Sequence, residues 1–71
     1  MPPPRKLGDI VRELREAQGL SQFQLAERAQ IALSYVTLIE ANQQSAPSRQ
    51  ILQRLARALG VAPEKLVEPE T

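Results

Sequence analysis

The sequence contains no cysteine and no histidine. Disulfide bonds, zinc sites built on thiolate or imidazole ligands, thiol catalysis and imidazole general-base catalysis are therefore excluded. Aromatic residues are scarce, because Phe23 and Tyr35 are the only two in the chain. Only three glycines are present, which argues against a β-rich or loop-rich fold.

Strong charge and long apolar runs are also missing. Nine basic and eight acidic residues leave a net charge of +1, so charge alone does not indicate a nucleic acid as partner. No apolar run approaches the roughly 20 residues that cross a bilayer, and residues 1–6 lack the apolar stretch of a signal peptide. We expect a cytoplasmic protein that meets no membrane, contains no metal or cofactor and shows no evident small-molecule ligand.

Hydrophobic residues make up 42% of the 71 residues, enough for one small globular domain. Residues 1–6 are interpreted as a flexible, proline-rich basic arm, residues 7–67 as the domain and residues 68–71 as a tail. Within the domain, apolar residues recur at helical spacing in five segments. The first segment shows the pattern most simply, with Leu7, Ile10, Val11 and Leu14 on one helix face.

Local signals mark the ends of these helices. Ser21 and Gln24 have the spacing of a capping box at the start of the second helix, and Leu20 and Leu25 that of a hydrophobic staple. Ser48 is expected to cap the fourth helix. Residues suited to a left-handed backbone follow the first, third and fourth helices, namely Gly19, Asn42 and Gly60.

Five short helices with short connections predict an all-α, compact five-helix domain. The linker between the second and third helices, residues 30–32, is too short for an antiparallel hairpin of long helices. It suits two short helices that cross steeply, which is the helix-turn-helix geometry.

The same residues carry a resemblance to a known family. The segments that match are Leu14-Arg15, Gly19-Leu20-Ser21-Gln22, Leu25-Ala26, Ser34-Tyr35-Val36, Ile39-Glu40, Pro47-Ser48 and 55–61. Together they resemble the lambda-repressor-like, Cro/XRE helix-turn-helix family, in which the third helix enters the major groove of DNA.

This resemblance implies that the chain binds double-stranded DNA in a sequence-specific way and regulates transcription as a repressor and homodimer. It makes residues 32–41 the recognition helix. The positions that match base-reading residues are Leu33, Ser34, Thr37 and Leu38. Those expected to bind phosphate are Gln22, Tyr35, Asn42, Gln43, Gln44 and Arg49. The resemblance also implies a structural ion pair between Arg15 and Glu40.

The sequence departs from the family pattern in four respects, one of which is a loop over residues 40–47 that is slightly longer than the commonest pattern. Gln30 stands where the family often has glycine, and Ala32 stands where it often has serine or threonine, so Ala32 cannot cap the third helix. The predicted recognition helix also contains no lysine or arginine. Leu33 and Leu38 are instead suited to contact thymine methyl groups, which favours an A/T-leaning site.

Several residues have two interpretations. Residues 43–50 suit either a phosphate-binding loop or a solvated turn, and Tyr35 suits either a phosphate contact or packing between helices. Arg5 and Lys6 suit either a groove-binding arm or a disordered terminus. Phe23 suits packing or a partner surface. We expect Arg12, Arg54 and Arg57 to lie on solvated faces of their helices.

A different function is also compatible with this fold. Exposed Leu33, Leu38 and Phe23 would suit a protein-interaction module, such as a coactivator or an antitoxin-like adaptor. An enzyme is not expected, because the sequence offers neither a glycine-rich phosphate loop nor room for a concave active site. For a homodimer, the apolar residues left for the contact are Ile51, Val61, Leu66 and Val67, although Leu66 also suits a return to the core of the domain.

Overall fold

The computed structural model describes residues 6–44 and 47–66. These residues form four α-helices and one 3₁₀ helix, and they contain no β-strand. The α-helices are α1 (Leu7–Ala17), α2 (Gln22–Ala29), α3 (Leu33–Glu40) and α4 (Arg49–Leu59), and the 3₁₀ helix spans Pro63–Leu66. No helix in this part of the chain is both long enough and apolar enough to cross a membrane.

The helix ends confirm the local signals. The Ser21 hydroxyl accepts from the backbone N–H of Gln24 at 3.0 Å, and the Gln24 side chain accepts from the N–H of Ser21 at 2.8 Å, so the capping box is complete. Ser48 caps α4 by accepting from the N–H of Ile51. The three residues expected to be left-handed have positive φ angles: Gly19 +70°, Asn42 +60° and Gly60 +72°.

One apolar core is formed by all four α-helices and the 3₁₀ helix. α1 packs against α3, α4 and the 3₁₀ helix, and α2 packs between α3 and α4. The predicted faces of the helices point inward. The largest fully buried side chains are Val11, Leu25, Val36, Ile39, Leu55, Leu59 and Leu66.

Two expectations about the end of the chain are wrong. The fifth segment is a four-residue 3₁₀ helix and not an α-helix: its bonds join residues three apart, as from the Lys65 N–H to the Ala62 carbonyl. Leu66 is not leftover apolar surface either. It is 1% exposed, because this helix folds back onto α1 and α4.

The predicted boundaries also need small corrections. The recognition helix begins at Leu33 and ends at Glu40, with Ala32 and Ala41 as its flanking caps. Lys6 is exposed at the start of α1, and Arg5 and Val67 lie outside the described residues with the rest of the arm and the tail.

Gly8 lets the start of α1 approach the end of α3 closely. The Gly8 N–H donates to Asn42 Oδ1 at 3.1 Å, and Asn42 Nδ2 donates to Asp9 Oδ1 at 3.2 Å. Asn42 therefore satisfies an N–H group of the first turn of α1 that has no partner within its own helix. A methyl group at Gly8 would collide with the backbone carbonyl of Ile39 and with Asn42 Oδ1.

We expect Gly8→Ala to lower the free energy of unfolding by about 2 kcal/mol or more, because the atom nearest to the added methyl group is the backbone carbonyl oxygen of Ile39, which cannot turn aside as a flexible side chain can. Gly19→Ala is the matched control. It meets open space and carries only the cost of a left-handed alanine, about 1 kcal/mol. Urea unfolding of both variants checks this, and a destabilisation at Gly8 no larger than that at Gly19 would contradict it.

Candidate nucleic-acid interface

The turn between α2 and α3, residues 30–32, orients the two helices. Gln30 has a left-handed backbone with φ +58°, which costs a residue other than glycine about 1 kcal/mol or more. Arg54 in α4 donates from Nη1 to the Gln30 carbonyl oxygen at 3.0 Å and thereby holds this turn. As expected, Ala32 provides no side-chain cap for α3.

α3 buries one face and presents the other to solvent. Val36, Ile39 and Glu40 form its buried face. All four side chains expected to read bases are exposed, with Leu33 44% and Leu38 43% accessible. Ser34 and Leu38 are four residues apart and therefore share the outward face. None of these four side chains is part of the apolar core, so all four are available to a partner.

An ion pair between Arg15 and Glu40 joins α1 to α3. Arg15 Nε donates to Glu40 Oε2 at 2.7 Å and Nη2 to Oε1 at 2.9 Å, so the pair is bidentate. Arg15 Nη1 also donates to the Leu20 carbonyl at 2.7 Å. The side chain of Glu40 is 2% exposed and that of Arg15 12%. The hydrogen bond to Glu40 raises the pKa of Arg15 above its ordinary value, against the opposing effect of burial.

Gln22 extends this network toward the exposed face of α3. Its Nε2 donates to Glu40 Oε1 at 3.1 Å, and its Oε1 accepts from Thr37 Oγ1 at 3.3 Å. Thr37 Oγ1 also lies 3.1 Å from the Leu33 carbonyl, so its single proton has two alternative acceptors. Because both ends of the Gln22 amide are bonded, its side chain is held in place, with one N–H left for an outside acceptor.

The first turn of α2 offers further donors. The Ser21 side chain and carbonyl accept from the N–H groups of Gln24 and Leu25. In the described part of the chain, the N–H groups of Gln22 and Phe23 have no acceptor. Such N–H groups, together with the helix dipole, favour an anion at this end of the helix.

Three residues of the loop after α3 were expected to bind phosphate. Asn42 and Gln44 are bonded to other residues of the domain, whereas Gln43 is exposed. The Asn42 amide is bonded at both ends to α1, so it shapes the loop. Gln44 Nε2 lies 3.2 Å from the Tyr35 hydroxyl, and the half-buried Tyr35 ring packs against the core. Gln43 is exposed, and none of the hydrogen bonds between described residues involves its side chain.

Arg49 is the first residue of α4 and is exposed. Within residues 6–44 and 47–66 it forms no ion pair, whereas Arg12 pairs with Asp9 at 3.3 Å. Its charge is therefore available to an external anion.

Two further contacts between elements distant in sequence were also missed by the sequence analysis. Gln18 Nε2 donates to the Leu59 carbonyl at 2.6 Å and ties α1 to the end of α4. The role of Arg54 in holding the turn was also missed, because an exposed arginine on a helix gives no local signal of a partner 24 residues away.

These features define a helix-turn-helix domain: a capped α2, a three-residue turn and an α3 that exposes its outward face. A family model described as helix-turn-helix matches residues 11–66. The chain belongs to this family, of the Cro/C1 (XRE) type.

Individual relatives agree. The chain is 36% identical over 62 residues to the HTH-type transcriptional regulator SinR of Bacillus subtilis (strain 168), covering 87% of this chain and 56% of SinR. It is 35% identical over 65 residues to the immunity repressor protein of Bacillus phage phi105, covering 92% of this chain and 44% of the repressor. The chain thus spans about half the length of the curated relatives it matches.

Solved structures show the same fold. The restriction-modification controller protein C.AhdI from Aeromonas hydrophila superimposes with a TM-score of 0.80 at 40% identity, covering 84% of this chain and 89% of that one. SinR in complex with DNA superimposes with a TM-score of 0.84 at 35% identity, covering 87% and 98%.

Removing Glu40 tests the buried pair. We expect Glu40→Ala to lower the free energy of unfolding by about 3–5 kcal/mol, because the mostly buried Arg15 loses its bidentate partner. It keeps only the Leu20 carbonyl and the exposed carboxylate of Glu16, which lies 3.8 Å away. Arg12→Ala, which breaks the exposed pair with Asp9, should cost no more than about 1 kcal/mol. Denaturant unfolding at neutral pH measures both, and equal destabilisation would show that the Arg15–Glu40 pair does not stabilise the fold.

Proposed function

We propose that this chain is the DNA-binding domain of a transcriptional repressor, and that α3 enters the major groove of double-stranded DNA. The observation that carries the proposal is the exposed outward face of α3, held beside the capped first turn of α2. This is the arrangement in which one helix reads base edges while the helix before it crosses the phosphate backbone. The superposition on SinR, which was solved in complex with DNA, supports DNA as the partner of this fold.

Phosphate contacts come from the residues that surround α3. The N–H groups of Gln22 and Phe23 are donors at the first turn of α2, and the amide of Gln22 is already held beside them. On the other side, Gln43 is exposed and Arg49 supplies a charge. The Tyr35 hydroxyl accepts a hydrogen bond from Gln44, and we assign these two residues to the phosphate contact on this side of α3.

Base contacts come from α3 itself. Leu38 and Leu33 offer apolar surface to thymine methyl groups, and Ser34 offers a hydroxyl that bonds to several base edges. The Thr37 hydroxyl has the Gln22 side chain and the Leu33 carbonyl as acceptors, so it helps to position the recognition surface, which is the outward face of α3 with Leu33, Ser34 and Leu38. It donates to a base only by giving up these acceptors. The preferred site therefore leans toward A/T.

We further propose that the repressor acts as a homodimer. A single domain offers few phosphate contacts, and a second copy on a second half-site raises the effective concentration of the first. Two recognition helices must then lie about 34 Å apart, one turn of DNA. The half-buried side chains of Ile51 and Val61 provide the apolar part of the contact.

One observation favours a different function. Phe23, at 56% exposure, stands with Leu33 and Leu38 as the large exposed hydrophobic residues of the described chain, and α3 carries no cation. Such a surface is also suited to bind another protein. Titration of duplex DNA at two salt concentrations separates the two functions. DNA binding should weaken steeply with salt, and its absence at low salt would favour the protein-binding module.

Replacing Arg49 should weaken binding to all duplexes alike. We expect Arg49→Gln to reduce the slope of log affinity against log salt by about one, because one phosphate is no longer neutralised by the protein. Lys65→Gln removes the same charge from the 3₁₀ helix, which packs on α1 and α4, and should leave the slope nearly unchanged. If the two variants behave identically, Arg49 acts through net charge and not through direct phosphate binding.

A thymine-to-uracil exchange tests the apolar contact of Leu38. In the preferred duplex, removing the contacted methyl group should weaken DNA binding by the wild-type chain about three- to fourfold, which corresponds to the free energy of burying one methyl group. Leu38→Ala should bind thymine and uracil duplexes equally. A methyl effect that persists in Leu38→Ala would assign the contact to another residue.

A further inference from the structure

A polar groove lies between the C-terminal end of α2 and the outer side of α4. Its volume is about 320 Å³. The polar residues that line it are Arg28, Gln30, Gln50, Gln53, Arg54 and Arg57. No residue of α3 lines it, so this groove is separate from the recognition surface.

The charge in the groove is of one sign. Three arginines line it, and no aspartate or glutamate does. Among the described residues, none of the three arginines forms an ion pair. The sequence has the same asymmetry, because residues 41–63 contain no aspartate and no glutamate. Like charges gathered in this way repel one another and are stabilised by an anion between them.

The geometry of the groove is partly fixed. Arg54 Nη1 donates to the Gln30 carbonyl at 3.0 Å, which orients its guanidinium while leaving its other N–H groups available. Arg54 and Arg57 are three residues apart on α4 and therefore lie side by side. Three glutamine amides add neutral donors around the charges.

We propose that the α2–α4 groove is a second anion site, which binds phosphate groups through Arg28, Arg54 and Arg57. Guanidinium forks match the oxygen atoms of phosphate in a bidentate manner, and three of them suit a multiply charged group. The phosphate comes either from a free phosphorylated ligand or from the backbone of a DNA strand that passes this side of the domain. The free-ligand form does not depend on the proposed function, because it does not involve α3, whereas the DNA form rests on that function.

Titration with inorganic pyrophosphate at low ionic strength, followed by backbone amide NMR, tests the site. Shifts should concentrate at residues 28–30 and 50–57 and not at 33–40. Arg28→Gln with Arg57→Gln should weaken pyrophosphate binding about tenfold or more, because two charge-assisted hydrogen-bonding groups are removed. These two arginines are chosen because Arg54 also holds the turn.

The matched control removes two exposed cations outside the groove, through Arg12→Gln with Lys65→Gln. It should change pyrophosphate affinity less than twofold. Equal weakening by both double variants, or shifts spread over the whole surface, would overturn the proposal. Binding of an acidic peptide in place of pyrophosphate would also overturn it, since the groove would then recognise carboxylates of a protein. Thermal unfolding of each variant confirms that it is folded.

A duplex DNA titration separates the two sources of phosphate. If a DNA strand occupies the groove, the Arg28/Arg57 double variant should lower the salt slope by about 1.8, or 0.9 for each phosphate that is no longer neutralised. Pyrophosphate should then be displaced by duplex. If the ligand is free, the slope stays unchanged and the DNA-bound protein still binds pyrophosphate. If the wild-type chain binds duplex DNA but not pyrophosphate, the proposal of a second anion site fails while the proposed DNA-binding function stands.

Discussion

The arrangement of the domain depends on the buried ion pair between Arg15 and Glu40. A carboxylate that is 2% exposed must keep its partners, because an unpaired buried charge costs several kcal/mol. Arg15 satisfies it from α1 and Gln22 from α2, so one side chain of α3 fixes the orientation of three helices. The Gln22–Thr37 bond carries this constraint to the surface of α3. The outward face of α3 is thus held in position by contacts that its buried side makes with α1 and α2.

Charge and recognition are placed on different elements. α3 carries leucines, serine and threonine on its exposed side and no cation, whereas the available arginines lie at Arg28 and along α4. In protein–DNA complexes, phosphate contacts set the register and base contacts set the specificity. Under the proposed function, the two tasks fall to separate parts of this fold. Affinity should therefore respond to changes on α4, and sequence preference to changes on α3.

The sequence predicts the fold better than the site. Helix ends at Ser21, Asn42 and Gly60 follow from hydrogen bonds that close within a few residues, so short motifs suffice. The Arg15–Glu40 pair was expected only through the resemblance to a family, because 25 residues separate its members. The availability of the residues expected to bind phosphate was less predictable, since an amide such as that of Asn42 looks the same in sequence whether it is exposed or bonded to α1.

By itself, the sequence determined which segments are helical, where they end and which faces are apolar, because these properties arise from neighbours along the chain. Only the tertiary structure decided which polar groups remain available. In the folded domain Asn42 accepts from the N–H of Gly8, three arginines line one groove and Leu66 is buried. Each of these outcomes depends on how helices distant in sequence cross, and that crossing follows from packing and buried charge, which no local pattern contains.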